Sequence, residues 1–229
     1  MIAGLLTPLD LAALVVFLAC WAGYSAVVDR IPRVRARSVI AAMDEHRRRW
    51  MLALLLRENR IGDTAIIGNL MASTSFLANT AIFILAGLVA LLGAPDMGRR
   101  VLAALPFAEP PASDVAWELR IGLLVLIFVH AFFELTWALR QFNYCSIVVG
   151  GIGLGPEHAP QAEVAAAVAN RAARHFNTGL RAYYFGLAAL AWIIHPVALM
   201  LASLLVLREL HRREFRSVVR EALQGNHRP

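Results

Sequence analysis

The sequence contains no lysine, so all 22 of its basic residues are arginines. It is also poor in charge: charged residues make up 17% of the chain and hydrophobic residues 59%, with a mean hydropathy of +0.60. A soluble domain carries about a quarter charged residues and less than half apolar ones. This composition excludes an ordinary soluble enzyme and a disordered chain, although the net charge of +6 would also suit a nucleic-acid-binding protein.

Cysteine is scarce, since only Cys20 and Cys145 occur among 229 residues. There is no CxxC spacing, so the sequence predicts neither a zinc site nor a redox pair. A Ser–His–Asp arrangement, a pair of catalytic carboxylates and a metalloprotease motif are also missing from the sequence. We therefore predict no enzymatic site and no resident cofactor.

Charge is absent from four stretches of 13 to 32 residues. A helix needs about 20 apolar residues to cross the hydrocarbon core of a bilayer. The sequence therefore predicts an all-α integral membrane bundle that contacts the lipid bilayer and ends in a basic tail at 208–229. Its four transmembrane helices are predicted near residues 8–28, 66–92, 120–140 and 182–207.

The arginines flank these stretches, as topology determinants do, and they therefore do not indicate a nucleic-acid partner. Nine lie in the first connection, 29–63, and four in the third, 140–181, which makes both connections cytoplasmic and the N-terminus external. Four crossings would leave the tail outside, although it holds six arginines between Arg208 and Arg228. Either the first segments dominate the orientation or the last segment does not simply cross. Its 26 uncharged residues would extend about 39 Å as a helix, which is more than one crossing and less than two.

Two of the connections are predicted to contain helices. Apolar residues recur at helical spacing through 37–60, which predicts an amphipathic helix that either lies in the membrane interface or packs on the bundle. Residues 160–178 form a second, alanine-rich helix. The connection at 93–119 contains Pro95, Pro106, Pro110 and Pro111 and is predicted to be an irregular loop. Ser113 or Asp114 is expected to cap the third span.

Polar residues within the predicted spans form the first candidate site. Ionisable groups at membrane depth are costly against lipid, so they should face a helix, a cavity or a partner subunit. Pro196 is expected to kink the fourth span directly after a histidine. The candidate residues are His130 and Glu134 in the third span, His195 and Trp192 in the fourth, and Asn69 and Ser73 in the second.

These residues support three hypotheses. The leading one is an oligomeric channel- or transporter-like protein whose permeation path uses the polar faces of spans two to four. The second is an accessory or scaffold subunit of a larger membrane complex, in which the same residues are packing contacts between helices. The third is a redox protein in which His130 and His195 hold a haem or a metal.

Three motifs resemble one family. They are NLMASTSF at 69–76, RQFNY at 140–144 and NTGLRAYYF at 177–185, and residues 50–60 also fit. Together they resemble the uncharacterised membrane proteins grouped as domain of unknown function 599. The resemblance implies a four-span protein of bacterial inner membranes with relatives in plants, and it implies no reaction. It points to polar positions that either bind an anion or lipid head group or bond loop carbonyls, namely Arg140, Asn143, Asn177 and Arg181.

Overall fold

The computed structural model describes residues 6–104, 113–216 and 218–223, and the regular structure in these ranges is entirely helical. The first helix, α1, passes through a π-helical turn at Ala19–Gly23 directly into α2. Two 3₁₀ turns, Leu54–Leu56 and Pro156–His158, lie in the connections. The helices are α1 Pro8–Leu18, α2 Tyr24–Arg30, α3 Pro32–Arg35, α4 Val39–Ala53, α5 Ile61–Gly93, α6 Pro95–Ala103, α7 Asp114–Gly151, α8 Ala159–Ile194, α9 Pro196–Phe215 and α10 Val218–Leu223.

Three of the described helices are long and apolar enough to cross a membrane, namely Pro8–Arg30, Ile61–Gly93 and Asp114–Gly151. Only 17% of the most apolar window of α5 is buried within the protein, so most of that surface is left for lipid. These apolar helices fit a membrane protein and agree with the first three predicted spans.

The fourth predicted span, 182–207, is divided between two helices, so a count of four spans is not confirmed. His195 has an extended backbone (φ −162°, ψ 141°), and α9 begins at the next residue, Pro196. Proline has no N–H to continue α8 and its fixed φ suits the first turn of a new helix. The two helices run antiparallel, because Arg213 near the end of α9 reaches the hydroxyl of Tyr184 in α8 at 3.5 Å. The expected kink is therefore a helical hairpin.

The helix α8 is longer than predicted, because it joins the alanine-rich segment 160–178 to the first half of the predicted span. It packs antiparallel on α7, and two glycines bring the backbones close together. A Cβ at Gly186 would lie 2.9 Å from the ring of Phe128, and one at Gly179 would lie 2.8 Å from Leu135. The core of the bundle is built on this pair of helices.

The amphipathic helix of the first connection is α4, and its apolar face is covered by protein. Met51 and Leu54 are fully buried, in a cluster with Ala162 and Ala165 of α8. Small alanine side chains allow this close packing. This contact with α8 fits the alternative of a helix packed on the bundle, and the position of α4 relative to the membrane interface stays a prediction.

The second connection is partly helical. Pro95 begins α6 instead of a loop, because proline is tolerated in the first turn of a helix. Ser113 caps α7, with its hydroxyl accepting from the backbone N–H of Ala116 at 3.1 Å, which confirms one of the two predicted caps. The predicted loop residues Pro106, Pro110 and Pro111 lie outside the described residues, as does Arg228 of the tail.

The two ends of the bundle differ in composition. At one end, called the Asp10 end, the start of α1 meets the start of α7 and the end of α8. At the other, called the arginine-rich end, α3 and α4 lie beside the finish of α9 and α10. There, the backbone N–H of Ile40 donates to Glu214 at 3.0 Å, and His46 is bonded to the carbonyl of Leu223 at 3.1 Å. The hairpin thus returns the start of the basic tail to the end that holds the first connection.

Candidate functional site

The candidate residues of α5 lie on the outside of the bundle. Asn69 and Ser73 are exposed, and the Ser73 hydroxyl donates only to backbone carbonyls of its own helix. Another face of α5 packs on the bundle, since Ala78 is 3% exposed and Met71 and Leu85 pack against buried clusters. The small Ala78 side chain allows this face to approach the neighbouring helix.

The two ionisable residues of α7 have different surroundings. His130 is exposed, and its ring lies 6.0 Å from that of Trp21 in the π-helical turn. Glu134 points instead towards α8, where its Oε2 lies 2.8 Å from Nδ1 of His175. The two residues lie one turn apart on α7 but have different partners, and only Glu134 lines a cavity at the arginine-rich end.

The candidate residues of the fourth segment lie at the Asp10 end. The Nδ1 atom of His195 accepts from the backbone N–H of Val197 at 3.0 Å and so caps α9. The indole of Trp192 donates to Asp10 at 2.7 Å. The six candidate residues are therefore distributed along the bundle and do not form a single site. Haem binding through His130 and His195 stays a prediction.

A buried ion pair at the Asp10 end was not predicted. Asp10 and Arg120 are 2% and 3% exposed, and Nη2 of Arg120 lies 2.9 Å from Oδ1 of Asp10. The hydroxyl of Thr7 donates to the other carboxylate oxygen at 2.7 Å within a capping box. The guanidinium also lies over the ring of Trp192, 5.7 Å from its centroid. The carboxylate thereby compensates a buried arginine and ties α1, α7 and α8 together.

The arginine-rich end contains a cavity of about 350 Å³ between α2, α3, α7 and α8, which we call the basic cleft. This volume lies within the range of about 300–1,000 Å³ typical of small-molecule sites. Four arginines line it against only two carboxylates. Its charged residues are Arg35, Arg171, Arg174, Arg181, Asp29 and Glu134, and its other lining residues are Val28, Ile40, His175, Asn177 and Thr178.

The most buried cation of the basic cleft is Arg181, which is 7% exposed. Its Nη2 donates to Asp29 at 2.5 Å and lies 3.4 Å from the hydroxyl of Thr178. Its Nε and Nη1 are buried and have no hydrogen-bond partner in the part of the chain that the structure describes. A buried donor without an acceptor costs about 1–3 kcal/mol, and more when it is charged. The described residues therefore leave two donors of Arg181 without an acceptor.

Two of the remaining arginines of the basic cleft, Arg35 and Arg174, share the carboxylate of Asp44 with Arg47. Asp44 lies 3.1 Å from Arg35, 2.7 Å from Arg47 and 3.8 Å from Arg174. Burial lowers the pKa of the Arg174 guanidinium; Asp44 raises it, and the charges of Arg35, Arg171 and Arg47 lower it further. Asp44 therefore pairs with three cations that also repel one another.

The four positions highlighted by the family resemblance fall into two groups. Asn177 and Arg181 line the basic cleft. Arg140 and Asn143 are exposed on α7, and Nε of Arg140 donates to the hydroxyl of Tyr144 at 2.5 Å. The Arg140 guanidinium also lies 6.0 Å from the ring centroid of Trp137. This aromatic and basic surface is typical of a membrane–water interface.

Residues 50–60, which also fit the family resemblance, hold the connection between α4 and α5. Trp50 and Arg57 each donate to the same oxygen of Asp63 at 2.7 Å. Arg60 donates to the carbonyls of Val149 and Ile152, at 3.1 and 2.5 Å, which lie at the end of α7. Arg60 therefore bonds backbone carbonyls, and Trp50 and Arg57 anchor the start of α5. Such structural bonding is one of the two alternatives given above for the family-like positions.

Sequence reasoning missed three of the four arginines that line the basic cleft. Arg171 and Arg174 are three residues apart and belong to the same face of a helix as Thr178 and Arg181. That pattern is visible only when 159–194 is treated as one helix, and the prediction had divided it. Arg35 comes from the α3 region, and no helical periodicity connects it to α8.

Comparison with known proteins gives one finding. A family model described as "Protein of unknown function, DUF599" matches residues 12–219. No curated protein and no solved structure matches the chain. The matched range includes every residue that lines the basic cleft.

Proposed function

Since the chain belongs to the family "Protein of unknown function, DUF599", whose description gives no activity, we propose from the geometry that it is a membrane protein that binds a phosphate-bearing anion in the basic cleft. The observation that carries this proposal is the buried guanidinium of Arg181. Two of its nitrogens are buried without a partner among the described residues, and Arg181 lines a cleft that contains four arginines and two carboxylates.

The chemistry of the lining favours a phosphoryl group. Guanidinium groups bind phosphate through charge-assisted hydrogen bonds, and a phosphoryl group offers several acceptor oxygens at once. One such group could accept from Arg181 and from the more exposed Arg171 or Arg174. Thr178 and Asn177 add neutral hydrogen-bonding groups to the same wall. Asp29 and Glu134 are held by Arg181 and His175, so they repel an anion less than free carboxylates would.

The arrangement of helices supports a cytoplasmic location of the basic cleft. From Asp10 to Asp29 the chain rises about 28 Å as a helix, which is close to the hydrocarbon thickness of about 30 Å. We propose that α1–α2, α5, α7, α8 and α9 all traverse this layer, in the inner membrane of a bacterium. The N-terminus is then external, and both the arginine-rich end and the tail are cytoplasmic, as the positive-inside rule requires.

Permeation is the less favoured function. The channel- or transporter-like hypothesis needed the polar residues of three spans around one path, and Asn69 and Ser73 lie on the exposed surface of α5. Such a path would have to form between several copies of the chain. Anion binding requires only groups that are already together within one chain.

Binding of inorganic phosphate to the purified full-length protein tests this proposal. Phosphate is compared with chloride at equal ionic strength, and the thermal unfolding temperature is the readout, because a ligand that binds only the folded state raises it. A second arm uses nanodiscs that contain phosphatidic acid or only phosphatidylcholine. Stabilisation by free phosphate indicates a soluble ligand, and stabilisation by phosphatidic acid alone indicates a lipid head group.

Variants locate the site. Arg171→Gln/Arg174→Gln removes two exposed cations, and Arg181→Lys keeps a cation for Asp29 while it removes the unpaired guanidinium donors. We expect the apparent affinity for the stabilising ligand to fall at least fivefold in both variants. The control Arg48→Gln/Arg49→Gln removes two exposed arginines of α4 that do not line the cleft, and it should bind as the wild type does. Equal behaviour of all four proteins, or no stabilisation in either arm, would refute the proposal.

A further inference from the structure

A second cavity lies at the arginine-rich end, where the first and last membrane-crossing segments finish. Its volume is about 490 Å³, and we call it the α3–α9 pocket. It exists because the chain turns away from α2 at Ile31 (φ −92°, ψ 105°) and begins α3 at Pro32, which leaves a gap beside the end of α9. Its lining residues are Tyr24, Val27, Val28, Arg33, Val34, Arg37, His211, Phe215 and Arg216.

The lining of the α3–α9 pocket is divided by chemistry. The side chains of α2 and Val34 are apolar or aromatic, and Phe215 contributes a ring that lies 5.0 Å from that of His211. Three arginines and no carboxylate complete the lining. Val27 is 43% exposed, so the apolar part is open to its surroundings.

The arginines of this pocket are not neutralised by the protein. None of the ion pairs among the described residues includes Arg33, Arg37 or Arg216. The nearby carboxylates are engaged elsewhere, since Asp29 pairs with Arg181 and Glu214 accepts from the N-terminus of α4. The arginines therefore keep their charge available for an external anion.

We propose that the α3–α9 pocket binds one anionic phospholipid, such as phosphatidylglycerol. The phosphate lies among Arg33, Arg37 and Arg216, and an acyl chain covers Val27 and Phe215. The position fits this ligand, because the apolar helix Pro8–Arg30 gives way to arginines at this level, where lipid phosphates lie. A small soluble anion would leave the apolar part uncovered, and a neutral lipid would leave the arginines unpaired. This site is separate from the basic cleft, although Val28 lines both.

Native mass spectrometry of the full-length protein, released from nanodiscs with equal amounts of phosphatidylglycerol and phosphatidylcholine, tests the proposal. The Arg181→Gln background is measured in parallel, so that a lipid held in the basic cleft is not counted. We expect one retained phosphatidylglycerol per chain, and at least a fivefold preference over phosphatidylcholine. The preference should persist in the Arg181→Gln background.

Two variants separate charge from shape. Arg33→Gln/Arg37→Gln removes two cations, and Val27→Trp fills the apolar part without a change of charge; each should reduce retention at least fivefold. Arg48→Gln/Arg49→Gln is the control with the same change of net charge, and it should retain the lipid. Equal retention of both lipids by the wild type overturns the proposal. An equal loss in the control overturns it as well, and so does full retention in Val27→Trp.

Discussion

Two arginines of the bundle, Arg120 and Arg181, are buried with Nε and Nη1 unpartnered among the described residues, so they differ in their surroundings and not in their unpaired donors. Arg120 is paired with a carboxylate that is 2% exposed and is covered by an indole ring, so its charge is enclosed by the protein. Arg181 is paired with Asp29, which is 46% exposed, and it lines a cavity. We therefore expect Arg120 to contribute mainly to stability and Arg181 to contribute to ligand binding.

The ion pair at the Asp10 end gives the first residue-scale prediction. Asp10→Asn leaves the Arg120 charge buried without compensation, and breaking a buried pair in this way costs about 3–5 kcal/mol. We expect a marked fall in the thermal unfolding temperature of the purified protein. The double variant Asp10→Asn/Arg120→Gln should be more stable than the sum of the two single changes implies, since it removes both charges. Additive losses would contradict the coupling.

The connection between α4 and α5 gives a second prediction at this scale. Asp63→Asn weakens the charge-assisted bonds from Trp50 and Arg57, which both reach the same carboxylate oxygen. Hydrogen bonds to charged groups are each worth about 1.5–3 kcal/mol. We therefore expect lower thermal stability with unchanged phosphate affinity, because Asp63 does not line the basic cleft. Glu58→Gln, an exposed change on the same connection, is the control. A loss of phosphate binding in Asp63→Asn would contradict this separation.

At the scale of helices, the positions of the apolar segments could be predicted from the sequence. Their arrangement in the bundle could not. Uncharged runs located the helices of the first three spans, because hydropathy and length report directly on burial in lipid. They did not show the reversal at His195, since a single extended residue between two apolar helices leaves the hydropathy of 182–207 unchanged. The direction of a helix after a break depends on packing, which a sequence pattern does not encode.

The contact between α7 and α8 gives the element-scale prediction. A methyl group at Gly186 would lie within 2.9 Å of the Phe128 ring, so Gly186→Ala should force α7 and α8 apart and cost about 1–3 kcal/mol. Gly87→Ala is the matched control, because a Cβ there meets nothing within 4 Å. Thermal unfolding in detergent measures both variants. An equal effect of the two substitutions would show that the backbone of α8 does not approach α7 so closely.

At the scale of the whole molecule, the candidate site was only half predictable. Asn177, Arg181 and Glu134 were identified, although Glu134 was assigned to the other candidate site, and Arg35 from the first connection was not. These residues are distant in the sequence and come together only through the packing of α3, α7 and α8. The hairpin also brings the start of the tail to the end that the other arginines occupy, which the four predicted crossings did not do.

The direction of the tail is the prediction at this scale. Five passes place the C-terminus in the cytoplasm, so a C-terminal alkaline phosphatase fusion in a bacterial host should be inactive, and a green fluorescent protein fusion should fluoresce. Truncation after residue 104, at the Asp10 end, should give an active phosphatase fusion. Four passes predict an active phosphatase at the C-terminus, so this result would exclude the proposed arrangement.

The cap that Glu214 provides for α4 also affects the order in which the protein matures. The backbone N–H of Ile40 and the carboxylate that it reaches are separated by 174 residues. Synthesis proceeds at about 5–20 residues per second, so the ribosome takes roughly ten to thirty seconds to supply the partner. During that interval the newly made α4 lacks the Glu214 carboxylate, and the bond from His46 to Leu223 forms later still. The arginine-rich end is therefore assembled after translation of nearly the whole chain.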